Sequence, residues 1–323
     1  MVTIIIPNYN GYAFLKDCFG ALQPQLSEQV KVLVVDNGSE DESVPFLKQI
    51  SAENPEQIHC IFLKENTGFC GAVNIGIKAS TTKYVILLNN DTKILPGYVD
   101  GLIAAMERDA SVFAASARML QMHAPELIDD AGDEYCALGW AFSRGKGKPA
   151  AQFDRGAEVF AACGGASIYR REVFGQIGIF DENHFAYLED IDIGYRARIY
   201  GYRNIYVPEA KVLHYGSGFS GSRHNAFKVR LSSRNSVYLV WKNMPFLQLI
   251  INAPFLAVGY LVKYLFFVKK GLGKEYRTGL KEGFSLCRKE ESRTAKVGGF
   301  LLHFKAYCRI QLLLWKNLFC IGR

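Results

Sequence analysis

Eight cysteines occur in the 323 residues, yet no Cys-x-x-Cys pair does. Cys18, Cys60, Cys70, Cys136, Cys163, Cys287, Cys308 and Cys320 stand singly. That spacing argues against a zinc knuckle or a disulfide scaffold and predicts a reducing, cytosolic setting. No G-x-G-x-x-G follows the first apolar run, so a nicotinamide or flavin cofactor is disfavoured, and no G-x-x-x-x-G-K-[ST] occurs, which excludes P-loop chemistry. There is no internal repeat and no low-complexity tract. The opening MVTIIIP has neither a basic stretch nor a small-residue cleavage site, so a secretory leader is not expected. Acidic residues are scarce at the C-terminal end. Residues 236–323 hold 15 Lys and Arg against 4 Asp and Glu, whereas residues 1–235 hold 23 against 27. A neutral-to-acidic body with a basic tail is not the profile of a chain that reads nucleic acid across its core. It predicts a tail that meets an anionic membrane surface.

What is present begins with short, β-branched, nearly continuous apolar runs at 2–6, 30–35, 58–63 and 84–88. These read as parallel strands covered on both faces. Helical patterns lie between them. Ser39 and Glu42 read as a capping box before SVPFLKQI, and 74–80 reads as part of a short helix. The alternation predicts an α/β fold with right-handed crossovers, whose ligands sit beyond the carboxyl ends of the strands. Those ends carry Pro7-Asn8-Tyr9-Asn10, Asp36-Asn37-Gly38-Ser39, Asn66-Thr67-Gly68-Phe69 and Asn89-Asn90-Asp91-Thr92. Any one of them is ordinary turn chemistry, but four on the same rim predict a binding site. Asp36 is the candidate to accept a base N–H of a nucleotide.

The segment HFAYLEDIDIGYRARIYGY, 184–202, places Glu189, Asp190 and Asp192 among aromatic and aliphatic neighbours. On a helix, Leu188, Ile191, Tyr195 and Ile199 share an apolar face. Asp192 precedes Arg196 by one turn, an i,i+4 ion pair of a few tenths of a kcal/mol. Glu189 near the helix start is accounted for by the helix dipole. Asp190 shares its side with Ile193, Gly194 and Ala197, none of which neutralises it. Desolvation would raise its pKa toward that of a general base; the alternative is a cap satisfied by backbone amides.

Taken in order, TIIIPNYNG, VVDNGSEDES, NTGFCGAVNIGI, LLNNDT, ACGGASIYRREVF, GIFDENHFAYLEDIDIGYRARIYGY and VPEAKVLHYGSGFSG resemble the inverting glycosyltransferases of family 2. The rhamnosyltransferase-like bacterial branch is the most similar, and the likeness runs over about residues 2–240. The resemblance implies a GT-A fold with a mostly parallel central sheet, a nucleotide-diphosphate-sugar donor and Mg²⁺ or Mn²⁺. It implies that Pro7, Tyr9, Asn10 and Asp36, with Asn37 beside them, hold base and ribose. Asn66, Gly68 and Asn74 would form a second nucleotide-side loop, and Gly164 and Gly165 would line the donor sugar. Asp91 would bind metal as the last residue of a D-x-D that here reads Asn89-Asn90-Asp91, with Asn90 facing the donor. His214 would complete the metal shell, although a lone histidine after a strand is as often structural. Asp190 would be the base that activates the acceptor, supported by Glu189, Asp192 and Arg196. A catalytically silent nucleotide-sugar-binding scaffold is the competing function.

The division expected is a catalytic domain over 1–235 and a basic, apolar helical region over 236–323. Within the latter, 244–262 carries no charge, long enough to span a bilayer. Gln248, Asn252 and Pro254 favour instead a broken, interfacial hairpin. Residues 300–319 mix Leu, Phe and Trp with Lys305, Arg309 and Lys316, the pattern of a helix lying in an anionic interface. Packing on the catalytic domain, or a homodimer through this region, is the alternative. A membrane tail suits a polyprenyl-diphosphate-linked glycan acceptor and a place on the cytoplasmic face of the cell membrane.

Overall fold

The computed structural model describes residues 1–216 and 225–322. The glycine-rich end of the last quoted motif, beyond residue 216, therefore lies outside the described residues. The four apolar runs form β1 (Val2–Asn8), β2 (Val30–Asp36), β3 (Ile58–Phe62) and β4 (Tyr84–Leu88). They pair in parallel in the order β3-β2-β1-β4. The first three crossovers run through α1 (Tyr12–Leu22), α2 (Ser43–Glu53) and α3 (Gly68–Ala79). β1 and β4 are buried along nearly their whole length, which is why alternation is absent from their sequences.

The expected parallel strands are only four of the ten in the sheet. After β5 (Thr92–Ile94) and α4 (Tyr98–Arg108) come β6 (Val112–Gln121), β7 (Ala124–Asp130), β8 (Asp133–Tyr135), β9 (Ala141–Ser143), β10 (Ala157–Val159) and β11 (Ala166–Arg170). β11 inserts antiparallel between β4 and β6. Past the short α5 (Phe174–Ile177) and α6 (Glu189–Ile199), β12 (Arg203–His214) runs parallel to β6. β5 and β10 lie antiparallel on β12, and β7 lies antiparallel on β6. The result is a mixed, ten-stranded sheet; β8 and β9 form a separate hairpin.

The capping box does not form. Glu42 occupies the N-cap of α2 without a side-chain bond. Ser39 turns back instead, donating its hydroxyl to Asp36 Oδ2 at 2.7 Å. A short acceptor fixed at a strand end is a nearer partner than a helix three residues on.

The C-terminal region is helical: α7 (Ala226–Asn243), α8 (Phe246–Lys269), α9 (Gly273–Arg288), α10 (Glu290–Ala295) and α11 (Phe304–Lys316). The expected boundary at 235/236 falls inside α7. The broken hairpin is replaced by one continuous α8 that contains Pro254. The polar residues that argued for a break form its inward stripe. Gln248, Asn252, Leu256 and Gly259 are its buried positions. Gln248 accepts from the Tyr195 hydroxyl at 2.7 Å, and Asn252 exchanges hydrogen bonds with Gln311 of α11 at 2.7 and 2.9 Å. At Gly259 the helix meets the β8–β9 turn so closely that a Cβ would lie 2.1 Å from the Leu138 carbonyl oxygen. Gly259→Val is therefore expected to cost about 1–3 kcal/mol by overpacking against backbone, read as a lowered midpoint in thermal or urea unfolding. An unchanged midpoint would mean that α8 does not dock there.

Candidate active site

The carboxyl ends of the parallel strands open into a cleft of about 660 Å³. Of the residues expected at the site, Pro7, Tyr9, Asn37, Asn66, Gly68, Asn90, Asp91, Gly164, Gly165, Glu189, Asp190 and His214 line it. Amide side chains knit its floor. Asn8 donates to Asp36 at 2.8 Å and accepts from Asn90 at 2.7 Å. Asn37 donates to Asn66 Oδ1 and to the Gly68 carbonyl, both at 3.0 Å, and its own Oδ1 accepts from Thr67. The Asn-rich rim thus serves two ends: it joins the strand tips to one another and leaves Pro7 and Tyr9 on the lining of the cleft.

Several expected residues stand back from the lining. Asp36 is buried, and its carboxylate already accepts from Asn8, the Ser39 amide and the Ser39 hydroxyl. Asn10 sits on the exposed side of the same turn and accepts from the Glu40 amide. Asn74 is a brace: it donates to the Phe180 carbonyl and to Glu182 and accepts from the Phe180 amide. It ties α3 to the loop before α6.

Asp192 and Arg196 are also behind the wall, and theirs is no surface pair. Asp192 is fully buried. It takes Arg196 at 2.9 Å, Lys242 at 2.9 Å and Asn243 at 2.8 Å. Lys242 also reaches Asp181 at 2.7 Å. Burial alone would raise the Asp192 carboxyl, but Lys242 and Arg196 outweigh it and hold it far below the usual range. His184, beside it and fully buried, is driven down to about 4 by burial against the opposing pull of Asp192, so it is neutral at physiological pH.

The loop entering α6 is strained. Phe185, Tyr187 and Leu188 all have positive φ, at 61°, 70° and 67°. Phe185 (ψ −62°) centres a γ-turn of the rare hand, closed by the Ala186 amide on the His184 carbonyl at 2.7 Å. Such conformations cost about 1–3 kcal/mol each and persist where the surroundings over-determine them. Here Asn235 of α7 donates to the carbonyls of His184, Ala186 and Tyr187 at 2.8–2.9 Å, and Arg234 to those of Asn183 and His184. On the other side Gly68 is essential, since a Cβ there would lie 2.5 Å from the Phe185 ring. Sequence reading missed Asn235 because nothing in ARG-ASN-SER on a helix announces a clamp fifty residues away.

That clamp delivers two carboxyls to the cleft. Asp190 is half-buried, and its Oδ1 accepts from the Ile191 amide at 2.7 Å. Burial raises its pKa; the Ile191 amide and Asp133 pull the other way without cancelling the rise. Both readings of the sequence are therefore present, a carboxyl partly capped by backbone and still desolvated. Glu189 had been assigned to the helix dipole. Instead it is buried, lines the cleft and has an unpartnered Oε2. Burial, then Asp190, push it well above the ordinary carboxyl range.

Across the cleft, β12 ends in His214 and β4 leads to Asp91. His214 Nε2 lies 3.3 Å from Asp91 Oδ1, and Nδ1 lies 2.7 Å from Asp129 Oδ2. Burial would lower the imidazole, but Asp129 and Asp91 prevail and raise it to about 9. Asp129, also bound by Lys146 at 2.8 Å, is held at about 2. A histidine with one nitrogen fixed by a carboxylate and the other directed at a second carboxylate fits a divalent cation, because ligating histidines are oriented this way. Asp91 and His214 are the residues that would hold it. Asp129 escaped sequence reading, though its segment LIDDAGDEY is acidic where its surroundings are apolar.

The mannosyltransferase PcManGT from Pyrobaculum calidifontis, in complex with GDP-Man and Mn²⁺, has a TM-score of 0.56 at 14% identity over 96% of this chain and 86% of that one. TarS of S. aureus, in complex with UDP-GlcNAc, gives 0.55 at 16% identity over 97% and 83%. At such identities the likeness establishes the GT-A fold. The N-acetylglucosaminyl-diphospho-decaprenol L-rhamnosyltransferase of Mycobacterium tuberculosis is 27% identical over 273 residues, 73% of this chain and 85% of that protein. The model described as Glycosyl transferase family 2 matches residues 3–178, which hold all four parallel strands, Asp91, Asp129 and the paired glycines. With more than half of its length matched by that family's model, this chain belongs to glycosyltransferase family 2.

Proposed function

We propose that the protein transfers rhamnose, with inversion, from dTDP-rhamnose to a hydroxyl of a polyprenyl-diphosphate-linked glycan at the cytoplasmic face of the cell membrane. The observation that carries the transferase mechanism is the placement of a desolvated Asp190 in the same cleft as the Asp91–His214 pair. Asp190 takes the proton of the acceptor hydroxyl as that oxygen attacks the anomeric carbon, and the diphosphate leaves from the opposite face. Pro7, Tyr9, Asn37 and Asn66 border the nucleotide side, and Gly164 and Gly165 line the sugar side. Asp91 and His214 would hold a divalent cation, Mn²⁺ or Mg²⁺, which would neutralise the charge that develops on the leaving diphosphate. One carboxylate suffices at such a site because hard cations complete their shells with water and substrate phosphates.

Rhamnose and the lipid-linked acceptor rest on the similarity to the mycobacterial enzyme. A panel of nucleotide sugars screened by thermal shift with Mn²⁺ or Mg²⁺ tests the donor: dTDP-rhamnose should raise the melting temperature most. A larger shift with a galactofuranose, glucose or N-acetylhexosamine donor would reassign it. A shift with no transfer to any acceptor would favour the silent scaffold. For the metal, chelation is expected to abolish transfer and added Mn²⁺ to restore it. Asp129→Asn should raise the Mn²⁺ needed for half-maximal activity by about 10- to 100-fold, as loss of an orienting carboxylate does.

The membrane reading rests on α8. It is, among the described residues, the one helix long and apolar enough to cross a bilayer, and at 1.5 Å per residue it is about 36 Å long. Its inward stripe is docked on protein, whereas Phe246, Leu247, Ile250, Leu261, Leu265 and others on it are exposed. A helix held along one side by protein favours lying in the interface over crossing it. The protein should co-sediment with vesicles containing phosphatidylglycerol, and Leu261→Ser with Leu265→Ser should release it. Persistence of the double variant on the vesicles, or a lipid-independent dimer that those substitutions dissolve, would remove this reading.

A further inference from the structure

A second hollow adjoins the cleft. It holds about 430 Å³ between α7 and α9, and its lining includes Phe227, Arg230, Arg234, Glu282, Ser285 and Lys289. Phe227 lines the active-site cleft as well, so the two share a rim. Its ring also meets that of Phe185 in the strained loop, with centroids 6.5 Å apart. Phe227, Arg230 and Arg234 recur at three- and four-residue steps, which puts them on one face of α7. From Phe227 to Arg234 that face runs about 10 Å. α9 closes the other side at a fixed depth. A Cβ at Gly279 would lie 2.1 Å from the Arg230 carbonyl oxygen, and one at Gly283 would lie 2.6 Å from that of Arg234. Glycine at both positions lets the α9 backbone seat against the turns that carry the two arginines.

Charge in the hollow is unbalanced. Three cations face one carboxylate, which leaves two positive charges in excess. Glu282 is committed to Arg230, whose Nε lies 2.9 Å from both of its oxygens. Arg234 is half-buried. Its Nε donates to Asn235 and its Nη2 to the carbonyls of Asn183 and His184, and among the described residues Nη1 has no partner. Lys289 is exposed and makes no ion pair among the described residues. Like charges one turn apart on a helix destabilise it. Burial lowers the Arg234 pKa, Glu282 resists, and Arg230 adds to the fall. An anion between Arg234 and Lys289 relieves both strains.

We propose that this hollow seats the diphosphate of the lipid-linked acceptor, held by Arg234 Nη1, Lys289 and the Ser285 hydroxyl, while the sugar it carries enters the cleft past Phe227. This rests on the reading of the acceptor as a diphosphate-linked lipid. Such a transfer brings two diphosphates together, and the Asp91–His214 pair answers only to the donor's. The second needs cations of its own, and the hollow that shares Phe227 supplies them. Because Arg234 also clamps the His184 carbonyl, one side chain registers the acceptor against the loop that leads to Asp190. The α9 wall is stacked on α8 as well: Tyr276 meets Tyr264 and Phe267 with ring centroids 6.5 and 5.3 Å apart. The hollow is therefore attached to the helix whose exposed apolar face suits a polyprenyl chain.

The test titrates farnesyl diphosphate into the full-length protein by calorimetry, in detergent and with a chelator present so that no metal at Asp91 and His214 contributes. Farnesyl monophosphate and phosphatidylglycerol are the comparison ligands, and the diphosphate should bind about 10-fold more tightly than either. Lys289→Glu should weaken the diphosphate by about 10-fold, as loss of a charge-assisted hydrogen bond does. Glu282→Gln should tighten it by about threefold, since Arg230 is then released from an exposed pair to the anion. That gain cannot come from misfolding. Equal affinity for either comparison ligand would overturn the proposal. So would affinities that neither substitution moves, which would place the probe in the catalytic cleft, or that both weaken. Failure to transfer sugar to a diphosphate-linked glycan, with these affinities moving as stated, would fault the acceptor assignment and leave the diphosphate site standing.

Discussion

Asp190→Asn is expected to reduce sugar transfer by about 10³-fold, within the range that a positioned general base contributes, and to leave nucleotide affinity nearly unchanged. The substitution is clean for a structural reason. The amide keeps an oxygen for the Ile191 N–H, now held at 2.7 Å, so that bond in the first turn of α6 survives. It also removes a group that burial disfavours in its charged form. A carboxyl whose folded pKa stands above its unfolded value of about 3.9 costs stability once the pH exceeds both. The Asn variant should therefore melt at the same temperature as wild type or slightly higher at pH 7.5. Transfer above a tenth of wild type, with the protein folded and nucleotide bound, would remove Asp190 from the mechanism. The same shift gives the pH dependence its sign: kcat/KM of wild type rises with pH through an acid limb lying above the ordinary aspartate value, as Asp190 loses its proton.

How far this was legible in the sequence depended on whether the signal was local. β1 to β4 were legible because doubly covered strands write themselves as unbroken Val, Ile and Leu. The face of Ile191, Tyr195 and Ile199 was legible for the same kind of reason, and all three enter one cluster with Tyr135, Leu239 and Leu314. Partnership was not legible. Ser39 could accept from the amides that open α2 or donate to Asp36, and only the fold reveals that it donates to Asp36. Asn235 and Asp129 act through contacts with residues 51 and 85 positions away, and no period or spacing encodes such contacts. Gln248 and Asn252 misled in an instructive way. Polar residues in an apolar helix were read as interruptions, yet they mark the side that docks.

The sharpest case of that kind is Asp192, and it carries the second large effect. Read as an exposed i,i+4 pair, it would be worth a few tenths of a kcal/mol. Buried among Arg196, Lys242, Asn243 and, at 4.0 Å, His184, it is the anion on which two buried cations depend. Removing one partner of such a set leaves uncompensated charge in a dry site, so Asp192→Asn is expected to destabilise the fold by about 3–5 kcal/mol. The Arg196 contact joins positions within α6 and the Lys242 contact joins α6 to α7, so the loss should appear as separation of α7 and its Asn235 clamp from the catalytic loop. Hydrogen exchange at 184–199 would then rise with global unfolding measured in urea. Because the folded Asp192 pKa is depressed, its contribution is complete above the unfolded value of about 3.9 and is lost only as pH falls toward the folded one. The deficit should therefore be the same at pH 6 and pH 8. Lys242→Met in the Asp192→Asn background should cost less than it does alone, since the two changes together remove both the charge and its partner. Fully additive losses, or a single loss below about 1 kcal/mol, the value of an exposed pair, would mean that the network does not hold α6 to α7.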